Sequence, residues 1–181
     1  MRVAVLGNGA LATAFKTITK HEITVFAKPN IDFLNTDSIN RYINTIADHE
    51  AIINTIGIFN GSSLEISQVN YLAPVVLIQK LVELKYSGKI IMIGSHGASW
   101  TSWPGIDHQR LIYNVSKLNL RNYIMALSQS KLTDAHLCLI DSTKFQSQMS
   151  NFTGEAASNV AKLIEDLVDI KSPRILHIET Y

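Results

Sequence analysis

Apolar and polar positions fall in blocks along this chain, and the blocks predict its elements. Arg2 to Leu6 (R-V-A-V-L) is a β-branched apolar run, and from Ala10 to Lys20 the residues Leu11, Phe15 and Ile18 recur at helical spacing. The Gly-Asn-Gly between them makes this a strand, a tight turn and a helix. Ile23 to Phe26 reads as a second strand ended near Pro29, and Ile31 to Leu34 as a short third. Asp37 to Asp48 carries Ile39, Ile43 and Ile46 on one side, a helix with Thr36 or Asp37 as its cap. Ala51 to Ile56 is a fourth strand. Ser67 to Tyr86 is a long helix whose start moves toward Tyr71 if Pro74 is to sit in its first turn, and Gly88 is its stop. Lys89 to Ile93 is a fifth strand, followed by a Ser-, Gly- and Trp-containing loop from Gly94 to Asp107. A helix from Gln109 to Ser130, a strand from Ala135 to Ile140, a helix from Gly154 to Ile170 and a strand from Arg174 to Ile178 complete the chain.

Most of these strands are continuous apolar runs rather than alternations, so both of their faces are expected to be covered. Strands alternating with helices in this way predict an α/β fold, a Rossmann-type doubly wound parallel sheet with helices on both faces. No repeat or linker divides the 181 residues, so residues 1–181 are read as a single domain.

Composition narrows the function classes. Sixteen basic residues against fifteen acidic give a net charge of +1 without any long run of one sign, which argues against nucleic acid or an anionic membrane as partner. No apolar stretch reaches the roughly 18–20 residues of a membrane span. With the first strand beginning at Arg2, no signal peptide is expected, and the chain reads as cytoplasmic. The single cysteine, Cys138, lies in an apolar run and reads as a core residue. His96 and His108 lack metal-ligand spacing with any partner, so no metal is assigned.

The chemistry-bearing signals begin at the first turn. G-N-G-A-L-A opens a helix directly after a strand, the setting in which glycines let a pyrophosphate approach free N–H groups at the positive end of that helix. Gly7, Asn8, Gly9, Leu11 and Ala12 are therefore the candidate phosphate-binding residues. At the end of strand two, where an acidic side chain would take a ribose 2′-hydroxyl and a basic one a 2′-phosphate, the chain has Phe26-Ala27-Lys28. Lys28 favours NADP over NAD, with Asp32 nearby in the same candidate cofactor set. Farther on, Y-N-V-S-K places Tyr113 four residues before Lys117, on one face of a helix. With six Tyr and eleven Lys in the chain, about 0.4 such pairs arise by chance, so its meaning rests on its surroundings.

Taken in order, these residues resemble the short-chain dehydrogenase/reductase family. The Gly-rich turn is followed by N-T-I-G (Asn54 to Gly57), similar to the family's N-N-A-G beside the cofactor, and V-N-Y places Asn70 where the family has its catalytic-helix asparagine. I-I-M-I-G-S-H-G puts Ser95 in the place of the substrate-orienting serine, and Tyr113 and Lys117 complete the set. Two departures stand out: the turn is G-x-G-x-x-A, and Asp141-Ser142 replaces the family's Pro-Gly after strand six. The resemblance implies hydride transfer between NADP(H) and a small carbonyl or alcohol. Tyr113 would be the general acid/base and Ser95 would orient the substrate oxygen. Lys117 would lower the tyrosine pKa and reach the cofactor ribose, and Asn70 would hold a water that resupplies protons. Lowering a phenol by three units needs roughly 4 kcal/mol, about what one ammonium some 4 Å away supplies at an effective dielectric near 20. Asn54 and Gly57 join the cofactor set, and Trp100 and Trp103 lie in the loop where the family lines its substrate pocket. The family also implies a homodimer or homotetramer. The rival reading is a non-catalytic sensor of nicotinamide nucleotides on the same fold.

Overall fold

A computed structural model of the chain describes residues 1–99, 105–142, 156–170 and 175–179. Among the described residues the strands are β1 (Arg2–Leu6), β2 (Glu22–Phe26), β3 (Ala51–Asn54), β4 (Lys89–Ile93), β5 (His136–Asp141) and β6 (Ile175–Glu179). They form one sheet in the order β2-β1-β3-β4-β5-β6, with every neighbouring pair parallel. The helices are α1 (Ala10–Ile18), α2 (Thr36–Ala47), α3 (Ser63–Ser67), α4 (Ala73–Glu83), α5 (His108–Gln129) and α6 (Ala157–Asp169). This is the Rossmann-type α/β arrangement expected from the apolar pattern.

The alternation of side chains along each strand feeds two separate cores. Ala4, Leu6, Ile52, Ile90 and Leu137 pack under Ile39 and Ile43 of α2, Leu77 and Leu81 of α4, and Leu120 and Ile124 of α5. Val3, Val5, Ile53, Ile91 and Cys138 face Leu11 and Phe15 of α1 and Val160 and Ile164 of α6. Because both faces of β1, β3, β4 and β5 are covered, these strands show no polar alternation, whereas the edge strand β2 leaves Glu22 and Thr24 exposed. Chain order reverses between β1, flanked by β2, and β3, so the switch point of the sheet lies there, at the carboxyl ends of the strands.

Four predicted features are corrected. Ile31 to Leu34 is not a strand; only an isolated bridge joins Asp32 and Asn35. Ile31 and Phe33 are buried in the same core as Phe26, while the Asp32 amide donates to Ser38 Oγ at 2.9 Å and Asp32 Oδ1 accepts from Leu34 N at 3.0 Å. Local side-chain bonds thus take up the backbone that a ladder would have used. The same segment ends in Asn35, whose side chain, rather than that of Thr36 or Asp37, caps α2.

The long helix starts earlier than predicted, at Ser63, behind a capping box of Ser62 and Glu65. It then widens into a π-helical turn, Gln68–Leu72, before continuing as α4. Pro74 has no N–H to donate and its ring crowds the preceding turn, so the extra residue in that turn accommodates it. At the other end the stop is not Gly88. Lys85 takes a left-handed φ of 54°, with its N–H on Val82 O and the Tyr86 N–H on Leu81 O at 2.9 Å each, a Schellman closure. Gly88 instead leaves room for its neighbours, since a Cβ there would lie 2.3 Å from Tyr86 Oη. The predicted starts of the last helix at Gly154 and the last strand at Arg174 lie outside the described residues.

Candidate active site

The carboxyl ends of β1, β3, β4 and β5 and the first half of α5 converge on one place. At β1, Gly7 has a φ of 106°, and a Cβ on it would sit 2.6 Å from Thr55 Oγ1, whose hydroxyl donates to Leu6 O at 2.8 Å. Only glycine fits that crossing. Gly9 is the N-cap of α1, with no side chain capping the helix, and nothing lies within 4 Å of the position its Cβ would take. Four N–H groups at such a helix start lack intrahelical partners, and here they border open space. Asn8 is exposed beside them. Leu11 and Ala12 point into the core at 3% and 0% exposure, so they can offer a ligand only their backbone.

After β3 the chain is held by side chains from elsewhere. Asn54, 3% exposed, accepts from Ile56 N at 3.1 Å. Asn70 is fully buried and clamps Ile58 twice, Oδ1 accepting from its N–H at 2.9 Å and Nδ2 donating to its carbonyl at 2.7 Å. Nδ2 also reaches Ser116 Oγ at 3.2 Å, and Ser116 Oγ in turn donates to Tyr113 O at 2.7 Å. The π-helical turn thus joins the β3 loop to α5 through one amide. Gly57 lies between, where a Cβ would be 3.4 Å from both Asn70 Oδ1 and Lys117 Nζ.

α5 begins at Asp107, whose carboxylate caps Arg110 N at 2.7 Å, and its inner face carries the pair. Lys117, 4% exposed, donates from Nζ to Ile93 O at 3.0 Å and lies 5.9 Å from the centroid of the Tyr113 ring. Burial pushes the Lys117 ammonium down to about 8, partly opposed by the Asp141 carboxylate. Burial also pushes the Tyr113 phenol above its usual value; the hydrogen bond with the Ser95 side chain works against this and Asp141 adds to it. The expected lowering of the phenol by Lys117 is therefore not what governs the free protein. The ammonium is spent on a β4 carbonyl, and loss of water around the ring is the larger effect.

Beneath Ser95 lies a group that sequence reasoning named only as a departure. Asp141 is fully buried; its Oδ1 accepts the Ser95 N–H at 3.0 Å and its Oδ2 meets His177 Nε2 at 2.6 Å and Arg121 Nη2. Phe59 was also missed. Its ring meets Tyr113 edge-on at 5.3 Å between centroids, and Gln109 Nε2 fixes its carbonyl at 2.6 Å. An exposed-looking phenylalanine in a loop gave no signal that it would cover the tyrosine. Lys28 stands off β2 with 67% of its side chain exposed, paired with Asp32 Oδ2 at 2.9 Å. Trp100 and Trp103 lie outside the described residues.

No protein-family model matches the sequence, and no curated protein sequence does. Solved structures do match in shape. The protein lin1944 from Listeria innocua superposes with a TM-score of 0.80 over 100% of both chains at 13% identity. A dehydrogenase/reductase from Sinorhizobium meliloti gives 0.74 over 98% of this chain and 93% of its own at 16% identity. A short chain dehydrogenase from Burkholderia cenocepacia, solved in complex with NADP, gives 0.77 over 98% and 96% at 16% identity. The fold is that of the short-chain dehydrogenases/reductases. On this fold Asn70, Ser95 and the α5 pair Tyr113 and Lys117 come from three separate stretches of sequence and lie together at the strand ends. Among the described residues no helix is long and apolar enough to cross a membrane.

Proposed function

We propose that the chain is a short-chain oxidoreductase that uses NADP(H) on a small carbonyl or alcohol. The observation that carries this is the convergence of Asn70, Ser95, Tyr113 and Lys117 at the strand ends, next to an uncapped helix start. The residues present fit a nicotinamide dinucleotide: Gly9 leaves an open cradle at the start of α1, and the N–H groups there suit a pyrophosphate. Gly7, Asn8, Gly9 and the backbone of Leu11 and Ala12 would hold it, with Asn54 and Gly57 along its flank. Lys28, exposed on a flexible stem, reaches for a 2′-phosphate; its pairing with Asp32 must loosen for it to do so. Neighbours of this shape have been solved with NADP or NADPH bound, which supports NADP as the ligand.

The bound nicotinamide supplies or accepts the hydride; everything else falls to the protein. Ser95 donates a hydrogen bond to the substrate oxygen and holds it against Tyr113. In the reducing direction the Tyr113 hydroxyl gives its proton to the oxygen as charge develops there. A phenol kept protonated by burial is ready for that role. Lys117, with an ammonium near 8, can exchange a proton at neutral pH and so restore the one Tyr113 loses. Asn70 fixes the β3 loop against α5, which keeps Lys117 and Tyr113 in register. Phe59 shields the phenol from water. Screening carbonyl compounds for NADPH oxidation, with NADH as control, tests the reading. Turnover that prefers NADPH is expected, and failure to bind either nucleotide would refute it.

A further inference from the structure

The carboxylate of Asp141 has no assigned part in this chemistry, yet it is the most connected charged group near the site. It is fully buried, and its two oxygens divide their partners. Oδ1 takes the Ser95 backbone N–H, while Oδ2 takes Arg121 from α5 and His177 from β6. Arg121 is pinned in turn by Ser99 Oγ at 2.9 Å and lies 3.8 Å from Glu179 Oε1. The strap between the β4 and β5 ends is completed by Gly94 N on Ile140 O at 2.8 Å and His96 N on Ser142 O at 3.0 Å. Gly94 must lack a side chain for this to form, because a Cβ there would fall 1.9 Å from Asp141 Oδ1. The glycine before Ser95 and the aspartate at the end of β5 are therefore a matched pair.

Asp141, His177 and Glu179 each offer a ligand atom within 4.8 Å of the others, but the Arg121 guanidinium already occupies and neutralises that cluster, so a cation is not indicated. The arrangement instead acts on Ser95. An ionised carboxylate accepting a backbone N–H is a strong, directional bond, and here it fixes the residue whose hydroxyl faces Tyr113. We propose that Asp141 is a positioning residue for the oxidoreductase reaction, its buried carboxylate locking the Ser95 backbone so that the serine hydroxyl is held toward Tyr113. The proposal rests on the oxidoreductase reading above. Among the described residues, the charged or titratable groups facing Asp141 are Arg121, Lys117 and Tyr113 from α5 and His177 and Glu179 from β6.

Two readouts test it. The first needs no turnover: the phenol of Tyr113 is titrated by ultraviolet difference in the free protein, assigned by its disappearance in Tyr113→Phe. The hydrogen bond with the Ser95 side chain works to lower the Tyr113 midpoint, so Ser95→Ala should raise it while Asp141 holds Ser95, and should raise it less in the Asp141→Ala background, where the Ser95 N–H has lost its acceptor. An equal rise in both backgrounds overturns the proposal. If Asp141→Ala fails to fold because Arg121 is left unpaired, the same comparison is made with Asp141→Ala and Arg121→Gln together. The second readout is kinetic. Asp141→Ala should lower kcat about 30-fold or more while the KM for NADPH moves less than about threefold, and Asp141→Asn should recover most of the rate. Combining Asp141→Ala with Ser95→Ala should be no worse than Ser95→Ala alone. Fully additive losses, or losses that follow only the folded fraction, overturn the proposal. Were the wild-type chain to bind no nicotinamide nucleotide, the functional reading would fall, but the titration would still decide whether Asp141 governs the Ser95–Tyr113 pair.

Discussion

Replacing Lys117 by Met separates a residue kept for chemistry from one kept for stability. An ammonium whose pKa drops from 10.5 to about 8 on burial costs the folded state roughly 3 kcal/mol, at about 1.4 kcal/mol per pH unit. Methionine has similar length and no charge, so that cost vanishes. The loss of the bond to Ile93 O costs back about 1 kcal/mol, which leaves Lys117→Met more stable than wild type by about 2 kcal/mol at neutral pH. The pH dependence is set by the same two values. Between about pH 8 and 10.5 the unfolded chain holds a proton on Lys117 that the folded chain has released, so wild-type stability rises with pH across that window. The variant lacks this rise, and the gap between the two should close by about pH 10. The Tyr113 phenol, raised above its usual value by burial, is present in both proteins, so its own titration cancels to first order in the gap. Urea unfolding of both proteins from about pH 6.5 to 9.5 measures the gap directly, and turnover of the variant should be lost despite its stability. A variant less stable than wild type at neutral pH, or a gap that does not change with pH, would refute the reasoning.

Other outcomes follow from the same geometry. Gly7→Ala puts a Cβ 2.6 Å from Thr55 Oγ1 at a φ of 106°, so it should lose about 2 kcal/mol or more in urea unfolding. Gly9→Ala meets nothing within 4 Å and should change stability by less than about 0.5 kcal/mol, yet weaken NADPH binding about tenfold or more by fluorescence titration as its methyl fills the cradle. Lys89 closes the carboxyl end of α6, donating to Leu167 O, to Val168 O at 2.9 Å and to Ile170 O at 2.6 Å. Lys89→Met should therefore destabilise by about 1–2 kcal/mol, the opposite sign to Lys117→Met, even though burial lowers both ammonium groups. Asn70→Ala frees both Ile58 backbone groups and should cost about 2–3 kcal/mol in the same assay.

Much of the fold could be read from the chain because its information is periodic. Runs such as Lys89 to Ile93 have no polar face to offer solvent, which already implies a parallel sheet between helix layers. Errors arose where local side-chain chemistry competes with period. Ile31 and Phe33 carry the apolar content of a strand, but Asp32, Ser38 and Asn35 bind the backbone first. The left-handed turn at Lys85 has no glycine to announce it. For the site, the residue types were visible and their contacts were not. Asn70 is expected to hold a water near Lys117; that its side chain also ties Ile58 to Ser116 is a contact no spacing announces. The effect of Lys117 on Tyr113 was sized from charge alone, and burial of both groups, which no sequence spacing encodes, outweighs it. Asp141 differed from the expected Pro-Gly, but its significance depends on Gly94, forty-seven residues away in the chain and touching in space.

The central claim is that Tyr113 delivers the proton in a nicotinamide-dependent reduction. Tyr113→Phe removes one hydroxyl and keeps the ring that Phe59 covers, so NADPH binding and fold should persist. Steady-state NADPH oxidation with a carbonyl substrate, measured on wild type and Tyr113→Phe alongside NADPH affinity for each, is the direct measurement. The account predicts a kcat lower by about 100-fold or more with affinity for NADPH within about threefold. A variant that turns over as fast as wild type would contradict it.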